Sequence, residues 1–257
     1  MRKILIHCLE SIGLKALLSE IYFHFQTIGV KKVKPQIIRS LPHDSTAFTQ
    51  GLSYCNHMLY ESTGLIGNSR LRCLDPESGN LIHEIAIVGE WCEGIAIINN
   101  RLIQLTYTSG RAIVYDVYSL KPDKEFSYEG EGWGLARCGN LFLMSNGTNK
   151  LLYRDENFKI ISELAVWFNW RKLSQINDIE CAGDKIFANV LFENCIYEID
   201  NKTGKVCRII DCREIVKKSG RRNAQDVLNG IAYVPSTKTF YITGKCWPKL
   251  FEILIPD

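Results

Sequence analysis

The stretch EGIAI, residues 93–97, decides how this chain folds, because it comes back. QGLSY stands at 50–54, WGLAR at 133–137, NDIEC at 177–181 and NGIAY at 229–233, at spacings of 43, 40, 44 and 52 residues. After each start the same parts follow in the same order. A turn (CNH, INN, RCGN, AGDK, PSTK) precedes a second run (MLYES, RLIQLTY, LFLMS, KIFANV, TFYIT), and a further turn precedes a third (RLRCLD, AIVYD, KLLYRD, IYEID, KLFEIL). In the first four units a fourth run closes the set: LIHEIAI, KEFSY, KIISELAV and KVCRIID. β-Branched and aromatic residues alternating with polar ones between Gly, Asn and Asp turns form strands. Four strands recurring every 40–45 residues or so are the signature of a β-propeller.

The chain therefore reads as all-β, a five-bladed β-propeller over residues 35–257, against the alternative of a β-sandwich with coincidental spacing. The long last interval holds a charged, loop-like insert, REIVKKSGRRNAQD (213–226). The fifth unit stops after its third strand. QIIRSL, residues 36–41, precedes the first unit and has no partner there, so it supplies the missing strand and closes the ring, removing an open edge.

Residues 1–34 fall outside the propeller as an N-terminal extension. Ile4, Cys8, Ile12, Leu17, Ile21 and Phe25 suggest an amphipathic helix of about 20 residues. Met1-Arg2-Lys3 followed by ILIHCL also resembles the start of an export signal, but Glu10, Lys15 and Glu20 interrupt it and no small-residue cleavage site follows. A helix packed on the domain surface and a degenerate export or membrane-surface segment both stay open. The ten cysteines form no C-x-x-C pair; they read as small buried hydrophobes in a reducing, cytoplasmic setting, with disulfides in an exported protein as the alternative.

Composition excludes two broad classes. A net charge of +3 in 257 residues, with no basic run longer than a pair, gives no footprint for nucleic acid. No apolar stretch of 18 residues exists for a transmembrane helix. A monomer is expected.

The repeat also places side chains. The first strand of each blade lines the central channel, so equivalent positions form a ring: Gln50, Glu93, Trp133, Asn177 and Asn229. A ring of structural residues repeats one type; this one brings an acid, amides and an indole to one mouth. The antiparallel second strands end beside it at Tyr107, Leu191 and Lys245, and Phe48 and Trp91 lie two residues before ring members, on the same strand face. A few polar groups in an aromatic concavity describe a small-ligand site. No Ser-His-Asp or Cys-His arrangement is visible; His24, His43 and His57 read as surface or packing residues.

Seven segments are similar, in order, to the plant- and bacterial-type glutaminyl-peptide cyclotransferases: FTQGL (48–52), YESTGLIGNSRLR (60–72), CEGIA (92–96), EGWGLA (131–136), NDIE (177–180), VLNGIA (227–232) and TGKCWPKLFEI (243–253). The resemblance covers about residues 40–255 and implies a five-bladed propeller that converts the N-terminal Gln of a peptide or protein to pyroglutamate with release of ammonia. It implies Glu93, Asn177 and Lys245 as catalytic residues, Gln50 as a pocket residue and Phe48, Trp91, Tyr107 and Trp133 as an aromatic wall. Leu191 stands where the family can carry Trp, which thins one wall.

The chemistry asks for one carboxylate that takes a proton from the attacking amine and hands it to the leaving nitrogen. Glu93 is the candidate, with Lys245 and the Asn177 amide as oxyanion donors and Gln50 orienting the substrate amide. No cofactor or catalytic metal is expected; a structural divalent ion in the channel stays open. Two other classes are weighed: a lactonase-like, metal-dependent propeller hydrolase, in which Glu93 and Asn177 hold a divalent ion, and a non-catalytic ligand-binding propeller.

Overall fold

The structure is a computed structural model and describes residues 29–257. The helix expected within residues 1–34 falls almost wholly outside them. Each repeat unit is one antiparallel sheet. Blade one comprises Thr49–Cys55, Met58–Thr63, Arg70–Leu74 and Leu81–Ala86; blade two Cys92–Ile98, Arg101–Thr106, Arg111–Asp116 and Pro122–Ser127; blade three Leu135–Cys138, Leu141–Met144, Lys150–Arg154 and Ile160–Ala165. Blade four comprises Ile176–Ala182, Lys185–Val190, Cys195–Asp200 and Val206–Asp211, and a short strand, Lys31–Val33, adds to its outer edge. The inner strands touch in the order one, two, three, four, five and back to one, so the ring is closed.

Blade five joins the two ends of the described chain. Leu228–Val234, Thr239–Gly244 and Lys249–Leu254 are completed by Gln36–Pro42, whose Leu41 pairs with Leu250. Arg39 on that strand donates from Nε to Glu252 (2.5 Å) and from Nη2 to the Tyr241 hydroxyl (2.8 Å). Most of the core lies between blades. Along the inner strand of blade two, Ile95 and Ile97 pack toward blade one, while Ala96 and Ile98 pack toward blade three. The period-two alternation read from the sequence is this division of side chains between two interfaces.

The second residue of each repeat start explains how closely the blades approach. It is Gly at 51, 94, 134 and 230. A Cβ on Gly94 would stand 2.5 Å from the backbone nitrogen of Leu135 and 2.7 Å from the Gly134 Cα. Both obstacles are backbone and cannot swing away. Gly94→Ala is expected to destabilise the protein by about 3 kcal/mol through overpacking, lowering Tm by about 6–12 °C for a domain of this size, as differential scanning calorimetry would show. An unchanged Tm would mean that the ring is not held by backbone contact.

The pairing of first and second strands slips at the start of four blades: between Thr49 and Gly51, Cys92 and Ile95, Ile176 and Ile179, and Leu228 and Ile231. β-Bulges re-aim side chains, and these four fall on Gln50, Glu93, Asn177 and Asn229.

Three elements differ from the sequence reading. Residues 31–33, read as part of an extension outside the propeller, form the edge strand of blade four because that strand finds hydrogen-bond partners on the outer strand Val206–Asp211. The insert 213–226 contains a helix, Arg213–Lys218, because adjacent Ile215 and Val216 are buried beside Trp247 in the core between blades four and five. A small hairpin, Trp167–Phe168 with Arg171–Lys172, lies between blades three and four. His43 is a packing residue, its Nδ1 2.7 Å from the Trp247 carbonyl and its Nε2 3.0 Å from Glu61. The nine described cysteines are free thiols, four of them buried.

Candidate active site

At the mouth formed by the starts of the inner strands, a cavity of about 290 Å³ opens. Phe48, Gln50, Trp91, Glu93, Tyr107, Trp133, Asn177, Leu191 and Lys245 all line it. They arrive from all five blades and from sequence positions nearly 200 residues apart, as the repeat requires. The tenth candidate, Asn229, sits on the same ring but not on the cavity wall. Its Nδ2 donates to the carbonyls of Thr49 (3.0 Å) and Gln50 (3.3 Å), and its Oδ1 accepts from the Asp178 amide (3.4 Å). Asn229 therefore ties three inner strands together rather than facing the cavity.

The floor of the cavity is a chain of polar groups. Lys245 Nζ donates to Gln50 Oε1 at 2.6 Å, and Gln50 Nε2 donates to Glu93 Oε1 at 2.8 Å. The Gln50 carboxamide thus lies between ammonium and carboxylate, with its oxygen on the cation and its nitrogen on the anion. All three side chains are buried. Burial pushes the Glu93 carboxyl well above the ordinary glutamate range; the Lys245 charge and the nearby Trp91 indole N–H oppose this, while Asp178 and Glu131 add to it. Burial also pulls the Lys245 ammonium below its ordinary value, against the carboxyl groups of Glu93 and Asp178. Desolvation penalises whichever form is charged, so acid and amine converge.

The walls are aromatic. Phe48 meets Trp91 edge to face with ring centroids 6.1 Å apart, and Trp91 tilts against Tyr107 at 5.8 Å. Lys245 Nζ stands 4.6 Å from the Phe48 ring centroid, a cation–π contact that helps hold a buried charge. Gly64 lets the wall close in, since a Cβ there would stand 2.7 Å from Trp91 Nε1 and 2.9 Å from the Gln50 side chain. Trp133 is fixed by its own N–H to Glu131 (2.9 Å). Two buried polar atoms on the wall lack a partner at hydrogen-bond geometry: Asn177 Oδ1, and Trp91 Nε1, whose N–H acts on the nearby Glu93 carboxyl without closing a well-formed bond to it. Buried polar groups are ordinarily satisfied, so unpaired ones at a cavity wall are ready for a ligand.

The family model for glutamine cyclotransferase matches residues 11–255. The chain belongs to that family. It is 35% identical over 225 residues to the glutaminyl-peptide cyclotransferase of Arabidopsis thaliana, an overlap spanning 85% of this chain and 70% of that protein. The crystal structure of Myxococcus xanthus glutaminyl cyclase matches with a TM-score of 0.83 at 32% identity, over 89% of this chain and 100% of that one. The protein is thus a glutaminyl-peptide cyclotransferase by family, which sets aside the hydrolase and the non-catalytic propeller.

Sequence reasoning missed four residues at this cyclotransferase site. Phe192, Gln225 and Val227 complete the cavity lining. Asp178 lies directly behind it: Oδ2 accepts from the amides of Ile231 (2.9 Å) and Leu52 (3.3 Å), and burial raises its carboxyl to about 8. A signal for Asp178 existed, because it holds the ring position that the other four repeats give to Gly. Among the described residues no group of three or more His, Cys, Asp or Glu is placed to hold a metal ion.

Proposed function

We propose that Glu93 is the proton shuttle of the cyclisation, Lys245 the oxyanion donor and Asn177 the group that holds the substrate amine. The observation that carries this is the Gln50 carboxamide, held by oxygen on Lys245 and by nitrogen on Glu93. The reacting group of an N-terminal glutamine is also a primary carboxamide, and the reaction needs the same polarity: positive charge at its oxygen, a base turned acid at its nitrogen.

The neutral α-amine attacks the γ-carbonyl carbon and a C–N bond forms. The carbonyl oxygen gathers negative charge, which the Lys245 ammonium stabilises. Glu93 accepts the proton that the amine sheds and delivers it to the former amide nitrogen. The old C–N bond then breaks, ammonia leaves, and the five-membered lactam remains. One proton moves from one nitrogen to the other through one carboxyl, so nothing else is consumed. A carboxyl raised by burial suits both halves of that transfer. Asn177, with its oxygen unpaired, is suited to accept an N–H of the amine. The wall of Phe48, Trp91, Tyr107 and Trp133 holds the side chain folded back on its own amine, so ring-closure entropy is lost on binding rather than in the reaction.

The substrates are peptides or proteins with a free N-terminal Gln, taken by a monomer. No resident cofactor has a role in this chemistry. A buried ammonium hydrogen-bonded to Gln50 and interacting with the Glu93 and Asp178 carboxyls supports that reading, because its positive charge opposes a divalent ion beside it. Incubation of a Gln-initiated dipeptide should release ammonia at a rate unchanged by prior dialysis against a chelator, and an acetylated dipeptide should release none. A rate abolished by the chelator and restored by a divalent ion would overturn the metal-free assignment.

A further inference from the structure

The cavity has a floor assigned to the glutamine side chain and a rim with no assigned contact. A substrate whose side chain reaches Glu93 and Lys245 and folds back on its own amine must send the rest of its backbone outward, so its second residue passes the rim. The rim residue that stands out is Phe192. It lines the cavity, yet 64% of it is exposed.

Phe192 is also in an unfavourable backbone conformation. The Glu193 amide donates to the Val190 carbonyl at 3.0 Å, closing a four-residue turn between the second and third strands of blade four. Phe192 is the third residue of that turn and has φ of +67°, while Leu191 before it does not enter positive φ. That combination is a type II turn, whose third position ordinarily takes Gly or Asn. A bulky residue there is an outlier. The surroundings enforce it: the Leu191 amide donates to the Gln175 carbonyl at 2.9 Å, pinning the turn from the neighbouring loop. An exposed ring obtains little packing within its own chain to offset this cost. Strain that persists at a ligand site points to a role there.

We propose that Phe192 is a specificity-determining residue that receives an apolar side chain at the second position of the substrate peptide. The surface it would share is largely apolar: Leu191 lies beside it in the turn and Val227 also lines the cavity, with Gln225 as the polar neighbour. Bound peptide would cover the Phe192 ring, and the contact would favour aromatic and large aliphatic residues over Gly. The inference rests on the orientation of the glutamine proposed above.

The test compares kcat/KM on Gln-Phe-amide and Gln-Gly-amide, by ammonia release, for wild type, Phe192→Gly and Phe192→Leu, with Tm for each protein. The wild type should prefer Gln-Phe-amide by roughly tenfold, the scale of one buried aromatic contact. Phe192→Gly should bring that ratio to within about twofold while raising Tm by about 2–4 °C, since Gly relieves the turn. Phe192→Leu should keep most of the preference without the gain in Tm. A residue that merely supports the fold would show the reverse: an unchanged ratio and a lower Tm in Phe192→Gly. That outcome, or a wild type that does not distinguish the two peptides, overturns the proposal. Ammonia release from neither peptide overturns the cyclotransferase orientation beneath it, and this inference with it.

Discussion

Glu93→Gln reduces kcat on a Gln-initiated dipeptide by about 10²–10⁴-fold, the range that a positioned proton transfer supplies. The substitution keeps the shape of the side chain and an oxygen that can still accept from Gln50 Nε2. It removes the capacity to take a proton from one nitrogen and hand it to the other. The same variant should be more stable than wild type at neutral and alkaline pH. Burial raises the Glu93 carboxyl in the folded state, so the folded protein holds that proton more tightly than the unfolded chain does. Stability is then lost as pH climbs from the unfolded value through the folded one, and a neutral amide escapes this loss. Enzymes commonly carry such a trade between activity and stability. Steady-state kinetics and thermal melts at two pH values check both halves; a full rate in Glu93→Gln removes residue 93 from the chemistry.

Lys245→Met lowers kcat by about 10²–10³-fold, as expected for one oxyanion donor. It also moves the acidic limb of the kcat/KM profile. In wild type that limb should fall above 4.5, the ordinary glutamate value, because Glu93 is raised. The Lys245 charge works against that rise, so its removal lifts Glu93 further and shifts the limb to higher pH. Met keeps much of the length and the apolar stem of the lysine and removes the ammonium that stands over the Phe48 ring. A loss of rate with the limb unmoved would leave Lys245 as a structural support without electrostatic contact with the acid.

The five repeat starts were enough to read the blades, their order and the strand that closes them, because a period of two within strands and of about 43 between blades leaves few other packings. What the repeat left unread was local. The hairpin at 167–172 and the helix at 213–218 lie in connections that the repeat does not constrain. The bulges were not visible either, since they depend on hydrogen-bond pairing across strands. For the site, rotational equivalence placed Glu93, Gln50, Asn177 and Lys245 together, and the cavity wall contains nine of the ten residues named. Asn229 shows the limit. A repeat fixes where a Cα stands, but the carbonyls of Thr49 and Gln50, beside the blade-one bulge, determine where that amide points. Phe192 was missed because its signal is a backbone angle.

The pairing of Gln36–Pro42 with Lys249–Leu254 has a consequence for biosynthesis. At about 5–20 residues per second, a ribosome needs roughly 10–45 s to proceed from the first of these segments to the second. For most of that interval the early segment is outside the exit tunnel while its neighbour does not yet exist. The nascent protein must keep that unpaired strand apart from other chains until residues 249–254 emerge, so blade five is the last part of the ring that can form.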